Sequence, residues 1–517
     1  MQSDSAAQSS TIFCQLRPGS AEMMDSMDLS AQSTESVPRN EGAARRFLNL
    51  VMIALASGLT LAYLLISRLS TEILQRTAWC LKQLRVTSWL LRRPLVASIF
   101  ASWAGTAFAA IDMVASPSQA FQSVCLAGSV ACALLLGVTA PNAFAVLCDP
   151  ETSPKGWLHN FVRQFYSRAG RHDVDGAWLD VLLVGSVLIT GPLVAILATP
   201  DPGFGALLIY VAAVWSLRTP LVNFEHGDSH YSFFRPRRNA CLTDAAIFRA
   251  IDWFSKYPLA IITVRIPNWY GVQHVAIHHA ENNGLADTQS TAYYDRASFI
   301  GFACCAQQFA LSGLVPIELA YYLIKTRRAK PLRQLMIGYV VYMGALALLA
   351  FYSPIAAVLL LLVRYAGLLA DCSSFFQEHG LLDPDHPDEI VTNSLHYNAS
   401  GNEHGNRGED LHIEHHLRPG LHWSLYPGAM LNHLEDYARL HAISYPEGVD
   451  HMRSYYRMLW RGDFSALAEH VGVFGGEGMT HAQVVELLRH RTSPVSSRCV
   501  APAWLERSMA QFAAFLI

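Results

Sequence analysis

The chain has 517 residues, 52% of them hydrophobic and only 15% charged, with a mean hydropathy of +0.22. Soluble domains carry roughly a quarter charged residues, so the deficit points to the bilayer, and a net charge of -3 without a concentrated basic patch gives no footing for nucleic acid. Ten scattered cysteines with no Cys-x-x-Cys pair exclude a disulfide framework and a cysteine-built zinc or iron–sulfur site.

In chain order, residues 1–46 read as a polar leader, rich in Ser, Gln and Met, without hydrophobic periodicity and expected to be disordered. The first apolar run begins near Phe47, so insertion is expected to use internal spans rather than a cleaved leader. A helix needs about 20 residues to cross about 30 Å of hydrocarbon. Six stretches reach or approach that length: 95–114, 121–145, 177–199, 204–221, 335–352 and 354–370. A seventh, 47–66, is equally apolar but flanked by arginines on both sides, and stays unassigned. Basic residues precede the first of the six (Arg92, Arg93), lie between the second and third (Lys155, Arg163, Arg168, Arg171), and follow the fourth (Arg235 to Arg265). The linkers 115–120 and 200–203 carry no positive charge. The excess of positive charge on one side then places the polar regions 222–296 and 371–517 together on the cytoplasmic face.

Residues 298–324 are apolar but interrupted by Gln307, Gln308, Pro316 and Glu318, and a basic run from Lys325 to Arg333 follows. A re-entrant or interfacial helix is expected there, with a hairpin turning afterwards at Tyr352-Ser353-Pro354. A competing pairing of 298–324 with one kinked span, 335–363, returns the chain to the same face. Four regions result: the leader 1–46, N-terminal spans and loop 47–174, a second membrane domain 175–430, and a cytoplasmic tail 431–517 with short amphipathic helices, as around His481–His490. The expected fold class is all-α, a polytopic integral membrane protein with a cytoplasmic helical cap.

Three histidine clusters carry the chemistry. The first is His226-x-x-x-His230, the second His274-x-x-x-His278-His279, and the third His412-x-x-His415-His416. Residues three and four apart share a helix face. His226 and His230 are therefore expected to point together, as are His274 and His278, and the trio His412, His415 and His416. His279 stands about 140° from His274 in an ideal helix, so it is expected to turn toward a different metal. Eight imidazoles exceed the three or four that one zinc uses and suit two ions with open positions. Imidazole alone leaves iron, copper, nickel and zinc open.

The order hairpin, box one, box two, hairpin, box three resembles the membrane fatty acid desaturase/hydroxylase superfamily over roughly 175–430. The most specific part is Asn402-Glu403-His404 through His412-Ile413-Glu414-His415-His416-Leu417-Arg418-Pro419. The resemblance implies two Fe ions as cofactors, O2 as co-substrate, and hydrogen removal from an unactivated methylene of an acyl or lipid substrate in an apolar tunnel. It also implies a ninth ligand, His379 of Glu378-His379, with His396 and His404 as lesser substitutes. Asn398, Asn402 or Asn406 would hold a metal-bound water. Glu225, Asp228, Glu378, Glu403, Glu409 and Glu414 would be acidic partners of the centre. Box two departs from many desaturases: its HxxxHH spacing is closer to that of membrane alkane hydroxylases, and Tyr270-Gly271-Val272-Gln273 lacks the usual tryptophan–arginine neighbourhood. Desaturation is favoured over hydroxylation, on the strength of the third box and the Glu-His pair.

The sequence has no Cys-x-x-Cys and no His-Pro-Gly-Gly haem motif, so electrons are expected from an external donor of ferredoxin, rubredoxin or cytochrome type with its reductase. The expected location is a bacterial inner membrane, with the active site facing the cytoplasm. A zinc hydrolase lacks its His-Glu-x-x-His motif here. A metal transporter would place its ligands near the midplane. A ferritin-like protein needs two Glu-x-x-His motifs, and only Glu409–His412 has that spacing.

Overall fold

The structure, a computed structural model, describes residues 49–65, 68, 157–197, 204–397, 410–445 and 452–496, with a few positions between 506 and 513. The expected leader, the spans 95–114 and 121–145, and Asn398, Asn402, Glu403, His404, Asn406 and Glu409 lie outside the described residues. Two compact units divide the chain, Met1–Met52 and Ile53–Ile517. Four residues of the first are described, and the fold and the site below belong to the second.

That unit is helical. Its main elements are α1 (Asn49–Leu65, which enters it from residue 53), α2 (Trp157–Ala169), α3 (Gly176–Leu197), α4 (Phe204–Tyr231), α5 (Leu242–Phe254), α6 (Phe299–Leu314), α7 (Ile317–Lys325), α8 (Ala329–Tyr352), α9 (Pro354–Glu378) and α10 (His412–Leu417). The strand pair β1 (Ile443–Ser444) and β2 (Gly472–Val473) is antiparallel. Helices α3 and α4 pack together as the first hairpin. α4 runs past the apolar stretch, through Pro220, so box one is its last two turns rather than a separate element.

Helices α8 and α9 are each long and apolar enough to cross a membrane. They meet at Ser353, whose side chain accepts the Ala356 N–H and caps α9, with Pro354 in the first turn where its missing N–H costs nothing. Val340, Leu348, Phe351, Ile355, Val358 and Leu362 are exposed along this pair. A belt of that kind is unfavourable in water and suits lipid. Gly338 sets how closely α8 can approach the rest: a Cβ there would lie 1.8 Å from the Pro267 carbonyl oxygen.

The segment 298–324 is not a straight span. α6 and α7 are bent by 78° at the break between them. α6 is mostly buried within the protein, and its Gln307 donates to Thr60 of α1 at 3.2 Å. α7 buries Leu319, Tyr322 and Leu323 while exposing Ile317, Tyr321 and Ile324, the division of an amphipathic helix lying at an interface.

The C-terminal residues are built into the same core. Phe302 of α6 packs on Phe376 of α9 at 5.4 Å and on Tyr456 at 5.2 Å. The helix His481–Thr492 opens with a capping box between Thr480 and Gln483. Its end is held by Arg296, which is fully buried and donates to the carbonyls of Arg491 at 3.0 Å and Ser493 at 2.5 Å. Five residues before it, Thr291 donates its hydroxyl to the His379 carbonyl at 2.9 Å. Replacing Arg296 by methionine strands those tail carbonyls, at about 1–3 kcal/mol for each buried acceptor left without a donor. The R296M protein is expected to unfold at a clearly lower temperature in detergent micelles. An unchanged midpoint would mean the tail is not braced through this residue.

Candidate metal centre

Three separate segments bring the histidines together. α4 ends in His226 and His230; the segment 271–281 carries His274, His278 and His279; α10 carries His412, His415 and His416. His379 caps the C-terminus of α9. All are buried apart from His230, which is partly so.

The nine fall into two groups. In the first, ligand-capable nitrogens of His226, His230, His274, His279 and His415 all lie within 4.8 Å of one another. In the second, those of His278, His379 and His416 do so, and His412 Nε2 stands 3.3 Å from His379 Nε2. Two expectations from ideal helix geometry are corrected here. His274 does not share a direction with His278: it faces His279, Nε2 to Nε2 at 3.0 Å, and His278 turns to the second group. The reason is local. Residues Gly271–His278 form a π-helix, and the His279 N–H reaches back five residues to the His274 carbonyl. Each such turn takes in an extra residue, which sets position i+5 over position i. Asn282, in the left-handed conformation at φ 48°, then ends the helix.

The third box also divides. Adjacent residues on a helix differ by about 100°, so His415 reaches the first group while His416 and His412 border the second. Helix α10 therefore stands between the two.

The partners of the rings fix which nitrogen carries the proton. His278 Nδ1 bonds Asp287 Oδ2 at 2.7 Å, His230 Nδ1 the Pro419 carbonyl at 2.9 Å, and His379 Nδ1 the Asn393 carbonyl at 2.6 Å. A carbonyl or carboxylate oxygen can only accept, so in these rings Nδ1 is the donor and Nε2 keeps its lone pair. His415 Nδ1 meets the Tyr426 hydroxyl at 3.2 Å, and His416 Nδ1 the Asn282 side-chain oxygen at 3.3 Å. The Nε2 atoms of His230, His278 and His416 are buried with no hydrogen-bond partner among the described residues.

Such a set fits metal ions. His415 Nε2 lies 3.0, 2.9 and 3.4 Å from the Nε2 atoms of His226, His279 and His274, and one proton serves at most one of these contacts. Ligand nitrogens at about 2.1 Å from one ion, at right angles, would be about 3.0 Å apart. Burial, and then the neighbouring imidazoles, holds His274, His279, His412, His415 and His416 well below the usual histidine range. These five rings are thus neutral at neutral pH and able to offer a lone pair to a cation.

Of the expected acidic partners, Glu378 approaches a box histidine, 3.8 Å from His412 Nε2, and accepts from Ser374 at 2.9 Å. Glu225 instead pairs with Arg265 at 2.6 Å. Asp228 accepts the Phe233 N–H at 2.9 Å and faces Lys256 at 3.4 Å. Glu414, fully buried, accepts from Tyr437 and from His433 at 2.7 Å, so it anchors α10. His396 stays apart from both groups: residue 396 pairs with β1, and its ring lies 5.4 Å from that of Tyr437. Asp287, Asn282, Tyr426 and the Asn393 carbonyl also orient rings, and no spacing in the sequence marks them.

A cavity of about 210 Å³ lies against the first group. His226 and His274 form part of its wall, with Tyr270, Phe309 and Phe375 beside them and Asn223, Gln273 and Glu378 adding polar edges. No curated protein and no solved structure matches the chain. Residues 202–448, which contain all nine histidines and both sides of the cavity, match the model of the family described as fatty acid desaturase. Residues 202–448 are thus similar to the fatty acid desaturase family, and the match supports the membrane fatty acid desaturase/hydroxylase superfamily.

Proposed function

We propose that the protein desaturates a fatty acyl chain with O2, using two iron ions held by the nine histidines. One ion would sit among His226, His230, His274, His279 and His415, the other among His278, His379, His412 and His416. The observation that carries this reading is the convergence of buried imidazoles in two groups beside a cavity between membrane helices. The iron pair, when bound, supplies the oxidising power that takes hydrogen from an unactivated methylene.

The remaining work falls to side chains of this chain. Tyr270, Phe309 and Phe375 would lay the acyl chain against His226 and His274 and keep bulk water from it. Asp287 and the carbonyls of Pro419 and Asn393 hold ring protons on Nδ1, which raises the donor strength of Nε2. Glu378, at the cavity edge beside His412, is placed to hold a proton during the reaction. Electrons would come from a separate carrier of ferredoxin, rubredoxin or cytochrome type, and the centre would face the cytoplasm of a bacterial inner membrane. The HxxxHH spacing of box two favours one second reading, hydroxylation of the same chain.

Product mass separates the two. Acyl products from a host expressing the chain with a compatible carrier are expected to be lighter by two hydrogens; a gain of one oxygen would move the chain to hydroxylation. For the metal assignment, alanine at His278 or His416 is expected to lower bound iron by one ion, and alanine at His274 or His415 to remove the other. Retention of both irons in all four variants would refute the ligand sets. Asp287→Asn leaves the ring of His278 in place but weakens its hold on the proton. Iron is expected to leave this variant at chelator concentrations about 10–100-fold lower than in the parent, and equal resistance would remove Asp287 from the centre.

A further inference from the structure

Arg364 lies in α9, the apolar helix that leads to His379, and is 6% exposed. Its Nε and Nη2 are buried and bond no acceptor among the described residues. The cation does have a face of Trp269, 4.9 Å from the ring centroid. An ionisable side chain left without an acceptor inside a membrane helix is costly and marks a binding site more often than a scaffold. Two other guanidiniums line the same small cavity. Arg265 is satisfied by Glu225 and by the Leu221 carbonyl at 2.7 Å. Arg218 pairs with Asp371 through one Nη, and its Nε is buried without a partner. Three cations thus stand against two carboxylates, and the uncompensated one is Arg364.

We propose that Arg364, aided by Arg218, binds the carboxylate of the substrate, so that the enzyme takes a free fatty acid; this rests on the acyl-oxidising reading above. The cavity measures about 30 Å³, room for about two water-sized groups, which matches the two oxygens of a carboxylate and is tight for a phosphate. Guanidinium donors fit that planar acceptor in pairs. The cavity shares Arg218, Val222 and Asp371 with the larger one that reaches His226 and His274. Arg218 and His226 are eight residues apart on α4, about 12 Å along its axis. A chain anchored by its carboxylate would therefore present a mid-chain methylene, not its α-carbon, to the first histidine group.

The test is binding of hexadecanoate, its methyl ester and the lysophosphatidate of the same chain to the purified full-length protein in detergent, read by calorimetry without electrons or product formation. Hexadecanoate is expected to bind about tenfold or more tighter than the ester, the worth of a charge-assisted hydrogen bond. Arg364→Gln should lower the acid to the level of the ester and leave the ester unchanged, and Arg364→Lys should restore part of the difference. Equal binding of acid and ester by the parent protein overturns the proposal, even if the glutamine variant fails to fold. So does undiminished preference in a folded R364Q, or lysophosphatidate binding more tightly than hexadecanoate. Because no oxidation is read, such a failure would leave the desaturase reading to be judged by product mass alone.

Discussion

Nine imidazoles that keep lone pairs and lose water are the constraint on which the remaining structure depends. A buried polar atom without a partner is destabilising, and His230, His278 and His416 each present such an atom in one small volume. At His230 and His416 protonation does not relieve it, because burial and the neighbouring rings hold both groups well below the usual histidine range. Cations shared between several rings relieve it at once. The helices must then deliver rings with ångström accuracy, and much of the architecture can be understood as the means of doing so.

Delivery uses irregular backbone at each point where an α-helix would miss. The π-turn at Gly271–His278 sets His279 over His274. The left-handed Asn282 stops the helix and also offers its side-chain oxygen to His416. Helix α10 is only six residues long, and Glu414, buried beneath it, is fixed by Tyr437 and His433. A short helix has little stability of its own, so this buried carboxylate supplies what length does not. The tail contributes in the same way: Arg296 ties the segment holding Thr291 to residues 491–493, and Thr291 in turn holds the His379 carbonyl.

Much of this was legible in the sequence, for identifiable reasons. Apolar runs of fixed length and the residues that break them are one-dimensional signals, so the hairpin turning at Ser353 and the bent 298–324 segment could be read directly. The histidine boxes are local in sequence, and their membership is visible for the same reason. How the boxes divide was not legible. That depends on a π-turn that no residue in Gly271–His278 announces, and on a 100° step between His415 and His416 that matters only once α10 lies between two groups. The partners of the rings were hidden for another reason. Two are backbone carbonyls, of Pro419 and Asn393, which any residue could supply, and Asp287 is nine residues from His278 with an ordinary loop between them.

The charges within the membrane helices follow from the same economy. A centre working on apolar chains would need a path from the lipid, yet the small cavity between α4 and α9 is lined by Arg218, Arg364 and Asp371. If they served stability alone, apolar side chains of similar size would do as well, since buried ion pairs rarely outweigh the water they lose. Their position is what distinguishes them. Arg218 and Asp371 line both the small cavity and the larger one against His226 and His274, while Arg364 lines the small one. Polar groups there discriminate by leaving a price on any substrate that cannot answer them, and a hydrocarbon without a polar end cannot. On the proposal that Arg364 binds a carboxylate, the ion pair and this guanidinium would read the substrate's end rather than prop the helices, and their distance to the histidines would set which part of the chain is oxidised.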